Sequence, residues 1–168
     1  MILGMSVADF TRFHVILSLV GMVSGIVVVL AMLRAHVLPV MTSIFLTTTM
    51  ATSVTGFLFP IAAFGPPEIV GVISIIILGL AMLALYVYRL AGSWRMIYVV
   101  SAVLALYLNV FVGVVQAFQK VPFFHALAPT QKEAPFAIAQ AAVLLVFAAL
   151  GAAAAKKFRP LGRPPAFA

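Results

Sequence analysis

Three amide side chains lie inside long apolar stretches of the sequence, where a polar group must be either paired or functional. They are Asn109, Gln116 and Gln140. The first two belong to a series of small and polar residues that recur every three or four positions: Ser101, Ala105, Asn109, Gly113, Gln116 and Lys120. That spacing places them on one helical face. It predicts either a helix–helix contact or a polar cavity that holds a ligand.

A second polar group consists of hydroxyl side chains in the apolar stretch from 40 to 62. Thr49 and Ser53 are its ligand candidates. Hydroxyl groups inside a helix can donate to the carbonyl one turn earlier, so they are tolerated in apolar surroundings. The threonines and serines here occupy much of the helix circumference, which favours a structural role. Lining of a pore or ligand site is the alternative.

Two histidines could hold a haem between them. His14 opens the first apolar stretch and His125 lies in a segment between stretches. A bis-histidine haem requires two imidazoles at matching depth on facing helices. Interfacial histidines, hydrogen-bonded to headgroups or carbonyls, are therefore the favoured interpretation. No cofactor is required by the sequence, no metal site is predicted, and the absence of cysteine excludes thiolate ligands.

The longest segment between apolar stretches runs from Gln119 to Glu133. It combines prolines and aromatic residues with charged ones. Long connections are uncommon unless they are functional or disordered, and this one is too apolar for disorder. We expect an outer interaction surface here, with an interfacial connector as the alternative. Its candidate residues are His14, Lys120, His125, Lys132 and Glu133.

Catalytic groups are scarce. The chain has three acidic residues, of which Asp9 is the only aspartate, and no cysteine. No paired carboxylates occur at helical spacing, and no Ser/His/Asp set can be argued. No acid lies inside an apolar stretch, where it would indicate a proton relay. A non-catalytic role is therefore favoured over an enzymatic one.

The fold class follows from composition. Hydrophobic residues make up 65% of the 168 residues and charged residues only 8%, whereas soluble domains are about a quarter charged. Runs of about 20 apolar residues cross a bilayer as α-helices. We predict an all-α, polytopic membrane bundle of five transmembrane helices in one domain, 1–155, followed by a basic flexible tail, 156–168. The helices are predicted at 13–33, 40–62, 69–90, 96–118 and 134–155.

Basic residues predict the orientation of this bundle. Five crossings put seven lysines and arginines on one side and three on the other. Cytoplasmic loops carry the excess of Lys and Arg. The N-terminus is therefore predicted outside and the C-terminus, with its tail, in the cytoplasm. We expect a multi-pass protein of the cell membrane whose partners are lipid headgroups rather than nucleic acid.

Three functions remain open from the residues alone. The first is a non-catalytic accessory, assembly or scaffold component that associates with other membrane subunits or with itself. The second is a channel or carrier for a small neutral solute, which would use the amides and the threonine-rich helix. The third is a haem- or quinone-binding redox protein that would use His14 and His125.

Overall fold

The computed structural model describes residues 1–60 and 64–159, and every named element in this part of the chain is helical. The predicted all-α class is thus confirmed. The third helix ends in one π-helical turn, Leu83–Val87. The helices are α1 (Val7–Met32), α2 (Pro39–Gly56), α3 (Pro66–Met82), α4 (Trp94–Lys120), α5 (Pro122–Leu127) and α6 (Ala134–Lys157).

Local signals set where the helices begin. α1 starts six residues before the predicted position because the Ser6 hydroxyl caps it, accepting the Asp9 N–H at 3.1 Å. α3 starts three residues before its predicted position. Prolines fit the first helical turn, and the Glu68 carboxylate accepts the Gly65 N–H at 2.7 Å. α6 begins at Ala134, as predicted.

The helix ends differ more from the predicted ones. α2 stops at Gly56, six residues before the predicted 62. In a longer helix, the proline at position 60 would have no N–H for the Gly56 carbonyl, and its ring would clash with that carbonyl. Positions 61 and 62 lie outside the described residues. α6 continues through Lys156 and Lys157, so the predicted tail begins as helix. Phe158 and Arg159 follow the helix, and positions 160 to 168 of the predicted tail lie outside the described residues.

Within the described ranges, four helices are long and apolar enough to cross a membrane: Val7–Met32, Pro66–Val87, Trp94–Lys120 and Ala134–Lys157. Such helices fit an integral membrane protein. The threonine-rich α2, with 18 residues, is not among the four. A fifth crossing therefore stays a prediction, as do the sides on which the two termini lie.

α2 nevertheless runs antiparallel to α1 over its segment from Phe45 to Thr55. Near the start of α1, the His14 ring nitrogen lies 2.9 Å from the hydroxyl of Thr55 at the end of α2. Further along α1, a β-carbon on Gly25 would lie 2.8 Å from the ring of Phe45. α2 therefore lies beside the segment of α1 from His14 to Gly25.

The later helices alternate in direction as well. The Tyr86 hydroxyl, at the end of the third helix, lies 3.2 Å from the hydroxyl of Ser43 near the start of α2. Arg95, at the start of α4, donates to the carbonyl of Phe158, which follows α6, at 2.6 Å. The start of α1 and the end of α6 thus lie at opposite ends of the bundle.

α4 is the most buried of the long helices and occupies the centre of the bundle. It contacts α1, α2, α3 and α6, whereas α6 lies outside, mainly against α4. Bulky side chains of α1 to α4 form the core. Its largest fully buried members include Phe45, Leu46, Leu78, Tyr98 and Leu106.

The two ends of the bundle differ in charge. One end carries six described basic residues and no acid: Arg34, Arg89, Arg95, Lys156, Lys157 and Arg159. The other end carries three bases together with all three acids of the chain: Arg12, Lys120, Lys132, Asp9, Glu68 and Glu133. We call these the basic end and the mixed end.

Candidate functional site

Asn109 lies where α1 and α4 meet, in the middle of the bundle. Its side chain is 8% exposed. The Asn109 carbonyl oxygen accepts the Ser18 hydroxyl at 2.8 Å, and its amide nitrogen donates to the Ser18 backbone carbonyl at 3.4 Å. Both ends of the amide are therefore used in binding one helix to the other, which is how amides contribute to helix association in membranes.

α2 completes this contact through its threonines. A β-carbon at Gly21 would lie 2.7 Å from the Thr49 hydroxyl oxygen and 3.2 Å from both the Thr48 hydroxyl oxygen and the Asn109 amide nitrogen. Only a glycine allows three helices to approach so closely here. We call this set, Ser18, Gly21, Thr48, Thr49 and Asn109, the polar junction.

One hydroxyl of the polar junction has no hydrogen-bond partner. Thr49 is 2% exposed, and its oxygen is unpaired. The neighbouring hydroxyls bond back along α2: Thr48 donates to Ile44 at 2.7 Å and Ser53 donates to the Thr49 carbonyl at 3.0 Å. An unpaired buried hydroxyl costs free energy, so Thr49 is where a small polar molecule would gain a contact.

Large side chains close the bundle on the basic side of the polar junction. A β-carbon at Gly25 would lie 2.7 Å from Leu106 and 2.8 Å from Phe45. Both neighbours are almost completely buried. The polar junction is therefore separated from the basic end by a tightly packed apolar layer.

His14 lies on the mixed side of the polar junction, between α1 and the end of α2. Besides its contact with Thr55, its ring packs edge-on against Phe59, with ring centroids 5.2 Å apart. His14 is half-buried, one helical turn before Ser18. The line from His14 to Ser18 thus leads from the mixed end towards Asn109.

His125 lies at the same end of the bundle but in a different setting. It belongs to the six-residue helix α5, and its Nδ1 atom lies 3.3 Å from the Phe118 carbonyl oxygen. Nδ1 of His14 is likewise hydrogen-bonded. In both histidines, Nδ1 is therefore paired with another group of the protein. No group of three or more metal-ligating side chains occurs among residues 1–60 and 64–159. The haem hypothesis stays a prediction.

The remaining outer-surface candidates lie around the connection between α4 and α6. Lys120 ends α4 and is exposed, as is Lys132. The Glu133 carboxylate accepts the Thr130 hydroxyl at 2.9 Å and the Lys132 N–H at 3.1 Å. Partial desolvation raises the pKa of Glu133, but hydrogen bonds from its own backbone, Thr130 and Lys132 outweigh it and lower that pKa. Glu133 therefore stabilises the turn before α6.

The other two amides do not join the polar junction. Gln116 is exposed on α4. Gln140 donates through its amide nitrogen to the Phe111 backbone carbonyl at 3.2 Å, while its carbonyl oxygen is buried without a partner. The structure thus brings Asn109 and Thr49 together, with Ser53 one turn away on α2, and leaves Gln116 and Gln140 elsewhere.

Sequence reasoning missed two functional positions. Ser18, the partner of Asn109, is one of the few polar residues in the first apolar stretch, and that is the signal that could have identified it. Arg95 donates to the backbone carbonyls of Ala155 and Phe158, which caps the end of α6. Nothing in the local sequence indicates that contact, because it joins residues 60 and 63 positions apart.

Replacing Thr49 by valine tests whether its hydroxyl serves the fold. We expect Thr49→Val to raise the free energy of unfolding by about 1 kcal/mol, because the change keeps the shape and removes an unpaired buried hydroxyl. Denaturant titration in mixed micelles measures it. Thr42→Val is the matched control, since Thr42 is 1% exposed but hydrogen-bonded to Tyr98, and it should lose stability. A loss for Thr49→Val as large as that of the control would contradict the expectation.

The chain was compared with known protein families, proteins and structures. The chain matches no protein-family model, and neither a curated protein nor a solved structure matches it. The functional conclusion therefore depends on the polar junction and the helix surfaces.

Proposed function

We propose that this chain is a non-catalytic component of the cell membrane that acts by associating with other membrane subunits or with a second copy. It crosses the bilayer five times, with its N-terminus outside and its C-terminus in the cytoplasm. The observation that carries the proposal is the pairing of Asn109 with Ser18. Both ends of the central amide of the bundle are occupied in holding α1 against α4, as expected of a rigid scaffold.

The charge distribution supports five crossings in this orientation. The basic end carries six described lysines and arginines without an acid, and the mixed end balances three bases with three acids. An excess of Lys and Arg is typical of the cytoplasmic side. Support for the fifth crossing comes from α2, whose 18 residues would extend about 27 Å at 1.5 Å per residue, close to the hydrocarbon thickness.

The outer side of α6 is the surface we propose for association. α6 packs against α4 and leaves most of its own circumference uncovered. Both large and small exposed residues recur along that side at helical spacing. In membranes, small residues let another helix approach closely. The exposed residues on this side are Ile138, Ala142, Leu145, Ala149 and Ala152.

Cross-linking tests the association. The sequence contains no cysteine, so an introduced cysteine would be the only thiol that can react. A single cysteine introduced as Ala149→Cys would be oxidised in native membranes for disulfide-linked dimers. A parallel sample would carry a thiol-coupled photo-cross-linker for other partners. We expect one discrete adduct from position 149 in at least one of the two experiments.

Ile16→Cys is the matched control, because Ile16 is 59% exposed and belongs to α1 instead of α6. It should give no discrete adduct. Equal yields at positions 16 and 149, or none at 149 together with a monomer in native mass spectrometry, would rule the proposal out. Reporter fusions before Asp9 and after Phe158 test the topology, which requires them in different compartments.

A carrier for a small neutral solute is the second candidate, and the unpaired hydroxyl of Thr49 is the observation that favours it. His14 and Ser18 on α1 would form the approach from the mixed end. The packed layer of Phe45 and Leu106 would be the closed gate. A solute that hydrogen-bonds to Thr49 would offset the cost of leaving that hydroxyl buried and unpaired.

Flux measurements in liposomes separate the two candidates. Under the carrier hypothesis, Thr49→Val abolishes uptake of a panel of small polyols and amides while the fold stays intact. Under the scaffold proposal, neither the natural chain nor the variant takes up any of them faster than protein-free liposomes.

A further inference from the structure

The hydrogen bond between His14 and α2 determines which nitrogen of the ring carries the proton. The Thr55 hydroxyl donates its single proton to the Ala51 carbonyl at 2.7 Å. The Thr55 oxygen, 2.9 Å from Nδ1 of His14, must therefore accept a proton from that nitrogen. A neutral His14 ring then has a lone pair on Nε2. No residue in the ranges 1–60 and 64–159 forms a hydrogen bond with Nε2.

Lys120 brings a positive charge to this ring from α4. It follows Asn109 by 11 residues, about three helical turns, so both lie on one face of α4. Asn109 contacts Ser18, one turn after His14, and the same face of α4 continues past His14 towards the mixed end. The ammonium charge of Lys120 is close enough to act on the His14 ring electrostatically. Lys120 is exposed and His14 half-buried, so a ligand can reach both.

The three acidic side chains of the protein are all engaged elsewhere. Asp9 forms an ion pair with Arg12 at 3.2 Å. Glu68 accepts the Gly65 N–H at 2.7 Å. Glu133 accepts hydrogen bonds within the turn before α6. The free ring nitrogen and the ammonium group beside it therefore have no acidic side chain of this chain as a partner.

From these features we infer that His14 and Lys120 bind a small free monocarboxylate together with one proton. Nε2 of His14 takes up the proton and donates it in a hydrogen bond to one carboxylate oxygen, and the Lys120 ammonium group donates to the other. Both hydrogen bonds join charged groups, which are the stronger kind. The inference depends neither on the association through α6 nor on the carrier hypothesis, because binding requires the mixed end alone.

Isothermal titration calorimetry of the full chain in phosphatidylcholine nanodiscs tests the inference, with sodium acetate as the probe. Titrations at one pH in buffers of different ionisation enthalpy count the protons taken up. We expect close to one proton per acetate bound. The affinity should fall as the pH rises, since the proton then becomes scarcer. Acetamide has the shape of acetate without its charge, and it should bind at least tenfold more weakly.

Two pairs of variants locate the site. Lys120→Gln should weaken acetate binding at least tenfold, the effect of one hydrogen bond between charged groups. Lys132→Gln, which changes another exposed lysine at the mixed end, should leave the affinity within twofold. His14→Gln should abolish the proton uptake. His125→Gln, which removes the other histidine of that end, should retain it.

Acetate binding that takes up no proton, or that is unchanged in Lys120→Gln, would overturn the inference. Because Lys120 is exposed, we expect this variant to keep its fold even if His14→Gln does not. Nanodiscs that contain phosphatidylglycerol test the other source of an anion. Acetate should bind there as it does in phosphatidylcholine. Its failure to bind would also overturn the inference, because a lipid headgroup would then occupy the site.

Discussion

Replacing Gly25 by valine should cost about 3 kcal/mol of the free energy of unfolding, the upper range for overpacking a core. The β-carbon alone would approach Leu106 and Phe45 to within 2.8 Å. Neither neighbour can move aside readily, because Phe45 is fully buried and Leu106 is 1% exposed. α1 would then have to separate from α2 and α4. Denaturant titration in mixed micelles, followed by far-ultraviolet circular dichroism, measures the loss.

Gly79→Val is the matched control for this prediction. It makes the same chemical change in another long apolar helix, but a β-carbon at Gly79 would meet nothing within 4 Å. Its stability should stay within about 0.5 kcal/mol of the natural chain, as for most exposed substitutions. Equal losses for the two variants would show that the loss at position 25 does not come from the close contact between helices.

Asn109→Leu should lower the free energy of unfolding by about 2 kcal/mol. Hydrogen bonds between membrane helices contribute about 0.6 to 1.7 kcal/mol. The substitution removes both contacts with Ser18. It also places a branched side chain next to Gly21, where the amide nitrogen already lies 3.2 Å from the position of a β-carbon. The same titration measures the change.

Gln116→Leu is the control here, because Gln116 lies on the same helix but is exposed. We expect Gln116→Leu to leave the free energy of unfolding nearly unchanged. The pair also distinguishes packing from ligand binding. If Asn109→Leu left stability unchanged but altered the binding of a solute or the rate of its uptake, the amide would serve a ligand and the scaffold proposal would lose its main support.

The positions of the helices were largely predictable, and the reason is local. A stretch of apolar residues in lipid must satisfy its own backbone, and only a helix does so within one segment. The start of α6 was predicted most accurately, because Pro135 beside it fits only the first helical turn. The predicted ends of the helices were less accurate. α2 stops at Gly56 because a proline at position 60 cannot continue a helix, although the residues around it are apolar.

The candidate site was predictable only in part. The helical spacing around Asn109 indicated a polar face, and the face exists, but its members have different surroundings. Ser101 and Asn109 are buried, whereas Gln116 and Lys120 are exposed. Spacing fixes the direction of each side chain around its own helix. Spacing along one helix does not indicate which part of that helix a neighbouring helix covers.

The sequence by itself thus determined the all-α class of the protein and the unequal distribution of basic residues, since each depends on composition or on neighbours along the chain. Only the tertiary structure decided that Asn109 pairs with Ser18 and that Arg95 caps α6. Lipid is as apolar as the protein core, so an apolar helix gains little from burying one face rather than another. Close packing at positions such as Gly21 and Gly25 therefore sets how the helix is rotated about its own axis. That rotation decides which partner each polar group meets.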